Sequence, residues 1–282
     1  MISRYLKRLN QILKYTGLSS QPFAKYNLAI LGIARGHPFN ASTLLGKVGK
    51  TFYPKLRIRL DYFGKSKLVI NPSDLTQMII LDEFLFKGVY DLSYLSFQPE
   101  LVIDCGAHIG CFTALAASKF PLTKIISFEP DSNNFCFLEE MVKINNFNNV
   151  EISSSAVATY DGLSPFKCDS SGFASSLLNT DTESTRSNHE EQVVSVINLP
   201  VWIREKKTSS LLLKIDIEGE EINLIPELLP ILPQYCAIYF EWHHGNQARN
   251  DLFDSLTSYG FEVKVCREVG KYSDNLAIRF LD

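Results

Sequence analysis

Four stretches of this sequence gather residues able to bind a ligand and to move protons. The first is Leu101-Val-Ile-Asp104-Cys-Gly106-Ala107-His108-Ile-Gly110, an apolar run that reaches an acid and then two glycines four apart. It reads as a strand entering a tight turn and then a helix: Gly106 permits the turn and close approach of a ligand, and Gly110 lets the helix pack near the strand. The free N–H groups at the helix start suit a ligand carboxylate. A second apolar run, Lys124-Ile-Ile-Ser-Phe-Glu129-Pro130, ends in an acid 19 residues after Gly110, close to the spacing at which such an acid holds ribose hydroxyls. The third stretch, Leu211-Leu-Leu-Lys214-Ile-Asp216-Ile-Glu218-Gly219-Glu220-Glu221, again runs from strand to turn. Strand alternation puts Asp216 and Glu218 on one side, opposite Ile215 and Ile217, while Glu220 and Glu221 read as caps of the next helix. A further run, Tyr239-Phe-Glu241-Trp242-His243-His244, should end on the same sheet edge. Adjacent histidines point to opposite sides of an extended chain, so the pair is not a ready chelate, and His243 is the stronger active-site candidate of the two.

What is missing narrows the ligand. A dinucleotide fingerprint needs G-x-G-x-x-G, but His108 stands where the middle glycine would be and Asp104 precedes the loop. No P-loop lysine is present either. An acid beside the turn suits a cationic ammonium or sulfonium ligand better than a pyrophosphate. S-adenosylmethionine fits, with its ribose on Glu129 and its amino-acid end at the glycine turn. An NAD-linked oxidoreductase is disfavoured by the same missing glycine.

The elements that must carry these residues follow from hydrophobic pattern. After Leu101, short apolar runs alternate with helix-length stretches, the mark of βαβ units and a largely parallel sheet. Strands are expected at Leu101–Cys105, Lys124–Phe128, Val150–Val157, Leu211–Ile217, Ala237–Trp242, Phe261–Cys266 and Leu276–Phe280. Seven strands suffice for a doubly wound α/β sheet, the last two closing as an antiparallel hairpin around the loop Glu268–Asn275. Segment 52–71 alternates like a β-hairpin about Gly64-Lys-Ser, and a capped helix follows from Asn71-Pro-Ser-Asp to Phe86. Asn179 to Gln192 holds no aliphatic or aromatic side chain and reads as a solvated loop, a lid or an insertion. From Ile2 to Leu13 the pattern is that of a basic amphipathic helix, able to lie on an anionic membrane, on a second copy or on its own main domain. The chain thus divides into a basic helical arm (1–50), a hairpin and helix leading into the core (51–100) and a ligand-binding domain (101–282).

Length and composition bound the rest. The 282 residues, 45% hydrophobic and 21% charged, describe a globular chain and exclude disorder or a coiled coil. The net charge of -3 hides an asymmetry: through Lys67 there are 13 basic residues and one acid, Asp61, and the remainder carries 15 basic residues against 30 acids. A basic arm precedes an acidic domain. Six cysteines without a C-x-x-C pair read as reduced, mostly buried thiols. No apolar run approaches the ~20 residues of a membrane span, Leu28–Ala34 being the longest, so a cytoplasmic protein is expected, with residues 1–20 able to meet either an anionic membrane surface or a second copy.

Taken together, the motifs resemble the FkbM family of S-adenosylmethionine-dependent methyltransferases. The resemblance covers about residues 68–282. It is carried by the Asp104–Gly110 turn, Phe128-Glu129-Pro130 with Asn145, Ala156 to Asp161-Gly162, Ser175-Ser176-Leu177, the Lys214–Glu220 motif, and Glu241 with His243. It implies a seven-stranded, Rossmann-like class I methyltransferase fold and O-methylation of a small-molecule or glycosyl acceptor. Cofactor contacts would come from Asp104, Gly106, Ala107, His108, Gly110, Glu129, Pro130, Ala156 and Asp216. Glu218 or His243 would serve as base, with Glu241 in support. The sequence departs from the family at His108, commonly asparagine, at Asp131-Ser132, commonly Asn-Pro, and at Pro200, where an acid usually stands. A divalent metal is compatible with Asp216, Glu218 and Glu241 as oxygen ligands but is not required, and nucleic acid is not an expected partner. A non-catalytic module held to a membrane or partner by the basic arm is the alternative.

Overall fold

The computed structural model describes residues 57–62, 66–71, 74–84, 89–169, 176–177, 189–270 and 272–280. The basic arm, the hairpin turn at 63–65 and most of the polar stretch 170–188 lie outside the described residues. A short antiparallel hairpin, β1 (Ile58–Tyr62) and β2 (Ser66–Ile70), comes first, followed by helix α1 (Leu75–Asp82). Asp74 supplies the anticipated cap, its carboxylate accepting from the N–H groups of Thr76 and Gln77. α1 stops at Asp82, four residues short of the expected Phe86, with Glu83 and Phe84 in a wider turn.

The core sheet has seven strands in the order β12-β13-β11-β10-β3-β4-β5. These are β3 (Leu101–Cys105), β4 (Lys124–Phe128), β5 (Val150–Ser153), β10 (Ser210–Ile215), β11 (Tyr235–Trp242), β12 (Glu262–Val269) and β13 (Tyr272–Arg279). β11, β10, β3, β4 and β5 run parallel, and β13 inserts antiparallel between β11 and β12. The doubly wound α/β sheet is therefore present with its antiparallel end. The turn there is tighter than expected, Glu268 and Val269 already pairing with Ser273 and Tyr272. Chain order reverses between β3 and β10, and in open α/β sheets ligands bind at the carboxyl ends of strands at such a switch point.

Both faces of the sheet are covered. Leu211, Leu213 and Ile215 of β10 pack on one side with α4 (Leu199–Lys206), α5 (Glu221–Leu228) and α6 (Asn246–Ser258), through Ile203, Leu224, Ile225, Leu252 and Leu256. Leu212, Val102 and Ala237 pack on the other side against Phe112 and Ala116 of α2 (Cys111–Lys119). Alternation therefore sends Asp104 and Lys214 toward α2, into the sheet's buried face. Leu68 and Ile70 pack with Leu138 and Met141 of α3 (Ser132–Asn145), and Asn145 clamps the hairpin by exchanging 2.7 Å hydrogen bonds with the backbone of Lys67.

Two expectations need correction. Val150–Val157 is not one strand: β5 ends at Ser153, and Ala156–Ala158 forms β6 in a separate four-stranded sheet, β6-β9-β7-β8. The other members are β7 (Gly162–Asp169), β8 (Ser176–Leu177) and β9 (His189–Asn198). The solvated loop therefore ends before His189, because His189 to Gln192 pair with Asp169 to Phe166. Backbone pairing overrides side-chain polarity on a strand whose outer positions, such as Val193 and Ser195, face solvent. Among the described residues no helix is long and apolar enough to cross a membrane.

Candidate active site

The ends of β3 and β10 are joined by a lysine. Lys214 lies on a fully buried strand with its ammonium 3.5 Å from Asp104 Oδ1 and 3.3 Å from Asp216 Oδ2, and it donates to the carbonyl of Gly106. Asp104, wholly buried, accepts a 2.6 Å hydrogen bond from the hydroxyl of Thr113 on α2, which also meets Ser127 of β4 at 2.8 Å. Burial pushes the Asp104 carboxyl up, opposed by the Lys214 ammonium; burial weakens the ammonium too, but Asp216 and Asp104 outweigh that and hold its pKa above normal. Asp104 was expected to meet a ligand. Its carboxyl is wholly buried against Thr113 and Lys214.

The turn itself is held by β4, with the N–H groups of Gly106 and Ala107 donating to Phe128 O. Gly106 has φ +77°, and a Cβ there would sit 1.9 Å from the carbonyl oxygen of Asp216. His108, also at positive φ, donates its N–H at 2.7 Å to Glu129 Oε2, and Asp131 N–H donates at 2.8 Å to Oε1. Gly110 begins α2 in left-handed conformation; a Cβ there would meet Leu138 and Met141 of α3, so its close neighbour is that helix and not the strand. Burial pushes the Glu129 carboxyl up to about 8 against the pull of the two N–H groups. Each oxygen keeps a lone pair for a further donor. Pro130 is tied by its carbonyl to the Gln192 amide of β9, Asp131 caps α3, and Ala156 is buried at the start of β6.

Beside this turn, across β10 and β11, stands a cluster of acids around one imidazole. The register pairs Ile215 with Phe240, so Asp216 and Glu241 leave the sheet at the same level. β10 ends at Ile215, however, and strand alternation does not reach Glu218; a left-handed backbone, φ +55°, turns it into the cluster. His243 Nε2 is 3.4 Å from Glu218 Oε2 and 3.9 Å from Glu241 Oε1, while Nδ1 lies 3.2 Å from Glu221 Oε1. Glu221 is fully buried and accepts N–H bonds from Ile217 at 3.0 Å and Gly219 at 2.9 Å. The two histidines do not diverge as expected, because β11 ends at Trp242: His244 donates to Gly219 O, lies edge-on to Trp242, and comes within 3.7 Å of Glu221.

The charges interact strongly. Burial raises Glu218 to about 8, opposed by the His243 charge; burial and then Asp216 raise Glu241 well above the carboxylate range. Glu221 goes the other way, to about 2, since His243, His244 and the Ile217 N–H outweigh its burial. Burial also works against the imidazolium of His243, but Glu221, Glu218 and Glu241 push its pKa well above normal. Lys214, Thr113 and Glu221 are the residues whose part the sequence did not disclose. A lysine inside Leu-Leu-Leu-Lys-Ile is the one signal that could have found its place, since a lysine is almost never fully buried without a partner.

The donor set thus combines a glycine turn at a helix N-terminus, a buried acid at the end of the neighbouring strand and a cluster of acids around one imidazole at the carboxyl ends of β10 and β11. Residues 104–263, more than half of the chain, match the model of the methyltransferase FkbM domain. The chain belongs to the FkbM methyltransferase family. The strand order of its sheet is that of the class I fold expected for this family. No curated protein matches the chain. Solved structures similar to this FkbM chain include M. jannaschii TYW2 in complex with AdoMet, with 12% identity, a TM-score of 0.45, and coverage of 79% of this chain and 87% of that one. A precorrin-6y C5,15-methyltransferase from Geobacter metallireducens shows 12% identity and a TM-score of 0.41 over 67% and 85% of the two chains. A SAM-dependent methyltransferase from Aquifex aeolicus shows 13% identity and a TM-score of 0.40 over 73% and 98%.

Proposed function

We propose that this FkbM protein transfers a methyl group from S-adenosylmethionine to a hydroxyl of a small-molecule or glycosyl acceptor. The observation that carries the reading is the buried Glu129 carboxylate bonded to the turn at His108, within a site that elsewhere presents acids. Its residues fit the cofactor. Glu129 has lone pairs for ribose hydroxyls, the Gly106 turn lets backbone approach the amino-acid end, and Asp216 favours the cationic groups. When bound, the cofactor supplies an electrophilic methyl carbon on a sulfonium leaving group. The chain's task is then mainly to align the acceptor, an effect worth up to about 7–11 kcal/mol in favourable models.

Of the two candidate bases, Glu218 and His243, we assign the hydroxyl proton to Glu218. Its side chain is 30% exposed against 22% for Glu241 and none for Glu221, which supports Glu218 as the acid that an acceptor can reach. General base catalysis of this kind contributes about 10²–10⁴-fold. His243, fixed from behind by Glu221, keeps the Glu218 carboxylate in place.

Calorimetric titration with S-adenosylmethionine, S-adenosylhomocysteine and NAD tests the reading. Both sulfur compounds should bind and NAD should not; folded protein giving no heat with either sulfur compound overturns it. Glu129→Ala should stay folded and weaken S-adenosylmethionine about 100-fold, the equivalent of one to two hydrogen bonds to a charged group at about 1.5–3 kcal/mol each. Unchanged affinity would move the ribose elsewhere. A pH dependence follows from Glu129, which titrates at about 8 in the free protein and must be ionised to accept two hydroxyls. Binding the ribose lowers that pKa, so affinity should rise by about tenfold per pH unit up to about 8 and level off above it. Glu129→Gln should flatten this slope, and an unaltered slope in that variant would assign the titration to another group.

A further inference from the structure

The three donor atoms of Asp216, Glu241 and His243 all lie within 4.8 Å of one another, and all three residues are partly exposed. We propose that these residues bind a divalent cation, which holds the acceptor's hydroxyl beside Glu218. The first part stands on the residues alone; the second rests on the methyl-transfer reading.

The geometry suits an ion in two independent ways. For three atoms so spaced some point lies within about 2.8 Å of all of them, and carboxylate and imidazole ligands bind divalent ions at about 2.0–2.6 Å, so small side-chain rotations complete the contact. Separately, the imidazole is already held as a ligand would be. Glu221, with no exposure of its own and its oxygens fixed by the Ile217 and Gly219 N–H groups, takes the Nδ1–H of His243. Nε2 is thereby turned toward Glu218 and Glu241. This carboxylate–histidine arrangement is the usual support of a metal-binding imidazole.

Charge favours occupation. Among the described residues, Lys214 bridges Asp104 and Asp216, and Arg267 bridges Glu83 and Asp274. Glu218 and Glu241 face one imidazole, with a carboxylate oxygen of Asp216 within 4.8 Å. Binding displaces the proton from Nε2, as any imidazole ligand requires. Two carboxylates and one imidazole leave coordination positions for water and a substrate hydroxyl, and this mixed donor set suits a hard to borderline ion such as Mn²⁺ or Mg²⁺.

The test uses the full-length protein, stripped with EDTA and titrated with Mn²⁺ under electron paramagnetic resonance. One Mn²⁺ should bind per chain, Mg²⁺ should compete, and Glu241→Gln and Asp216→Asn should each weaken Mn²⁺ at least tenfold. Glu262→Gln, on the distant edge strand, should leave binding unchanged. Absence of Mn²⁺ binding, or equal binding in Glu241→Gln, overturns the site. A parallel S-adenosylmethionine titration of the stripped protein separates the two readings: if the cofactor binds but added Mn²⁺ does not, only the metal falls, and if Mn²⁺ binds but the cofactor does not, only the methyl-transfer reading falls. If both bind but EDTA leaves turnover unchanged, the ion does not carry the acceptor.

Discussion

Lys214→Met is expected to lower the folding free energy by about 3–5 kcal/mol, the range seen when one partner of a buried ion pair is removed. The reason lies in what remains. Asp104 has no exposure, and without the ammonium its charge is compensated only by the Thr113 hydroxyl, one hydrogen bond from a neutral group. Methionine fills most of the volume, so packing loss contributes little and the charge effect can be read by itself. Urea denaturation measures it. The double variant Lys214→Met with Asp104→Asn should recover most of the loss, because the orphaned charge is then gone. A loss under about 1 kcal/mol in the single variant would mean that Asp104 is already neutral and that the lysine serves the Gly106 carbonyl and Asp216 instead. The two sites are coupled through this one side chain. Lys214 holds the turn that receives the cofactor and the acid that begins the cluster, so loosening it should weaken S-adenosylmethionine as well.

Much of this arrangement was legible in the sequence because the sheet is buried on both faces. Leu101–Cys105, Lys124–Phe128 and the β10 and β11 runs are continuous apolar segments ending in acids, and parallel strands of that kind have few other places to go. Once they lie side by side, Asp216 and Glu241 must emerge together, which pairing of Ile215 with Phe240 confirms. What the sequence concealed depends on the chain leaving regular structure. Glu218 joins the cluster through a left-handed residue, and His243 and His244 both reach Glu221 because the strand has already ended. Alternation, correct inside β10, gave the wrong reason for Glu218. The second sheet was hidden differently: β9 begins in the polar run from His189, where pairing with β7 needs no apolar side chain. Glu221 reads in the sequence as a cap of the next helix, but its carboxylate accepts instead from Ile217 and Gly219, which precede that helix, and its grip on His243 depends on a residue 22 positions away.

Gly106→Ala should have the other large effect, and it separates two kinds of glycine within one turn. At φ +77° an L-residue loses roughly 1–2 kcal/mol from conformation alone. That is the smaller part. The new methyl would lie 1.9 Å from the Asp216 carbonyl oxygen and 3.0 Å from its carbon, both backbone atoms. Relief requires parting the turn after β3 from the turn after β10, which breaks the Asp216 N–H bond to Cys105 O and displaces Asp216 itself. We expect a stability loss of about 3 kcal/mol or more and at least a 100-fold loss of S-adenosylmethionine affinity, since strain and a broken buried hydrogen bond add. Gly110→Ala meets the same conformational penalty at φ +88°, but its methyl would press on Met141 Cε at 2.5 Å and Leu138 Cδ1 at 2.9 Å, the ends of flexible side chains. It should cost less and spare more of the affinity. If the two variants lose affinity equally, the close approach of the β3 and β10 turns is not what shapes the cofactor site, and the left-handed backbone by itself is.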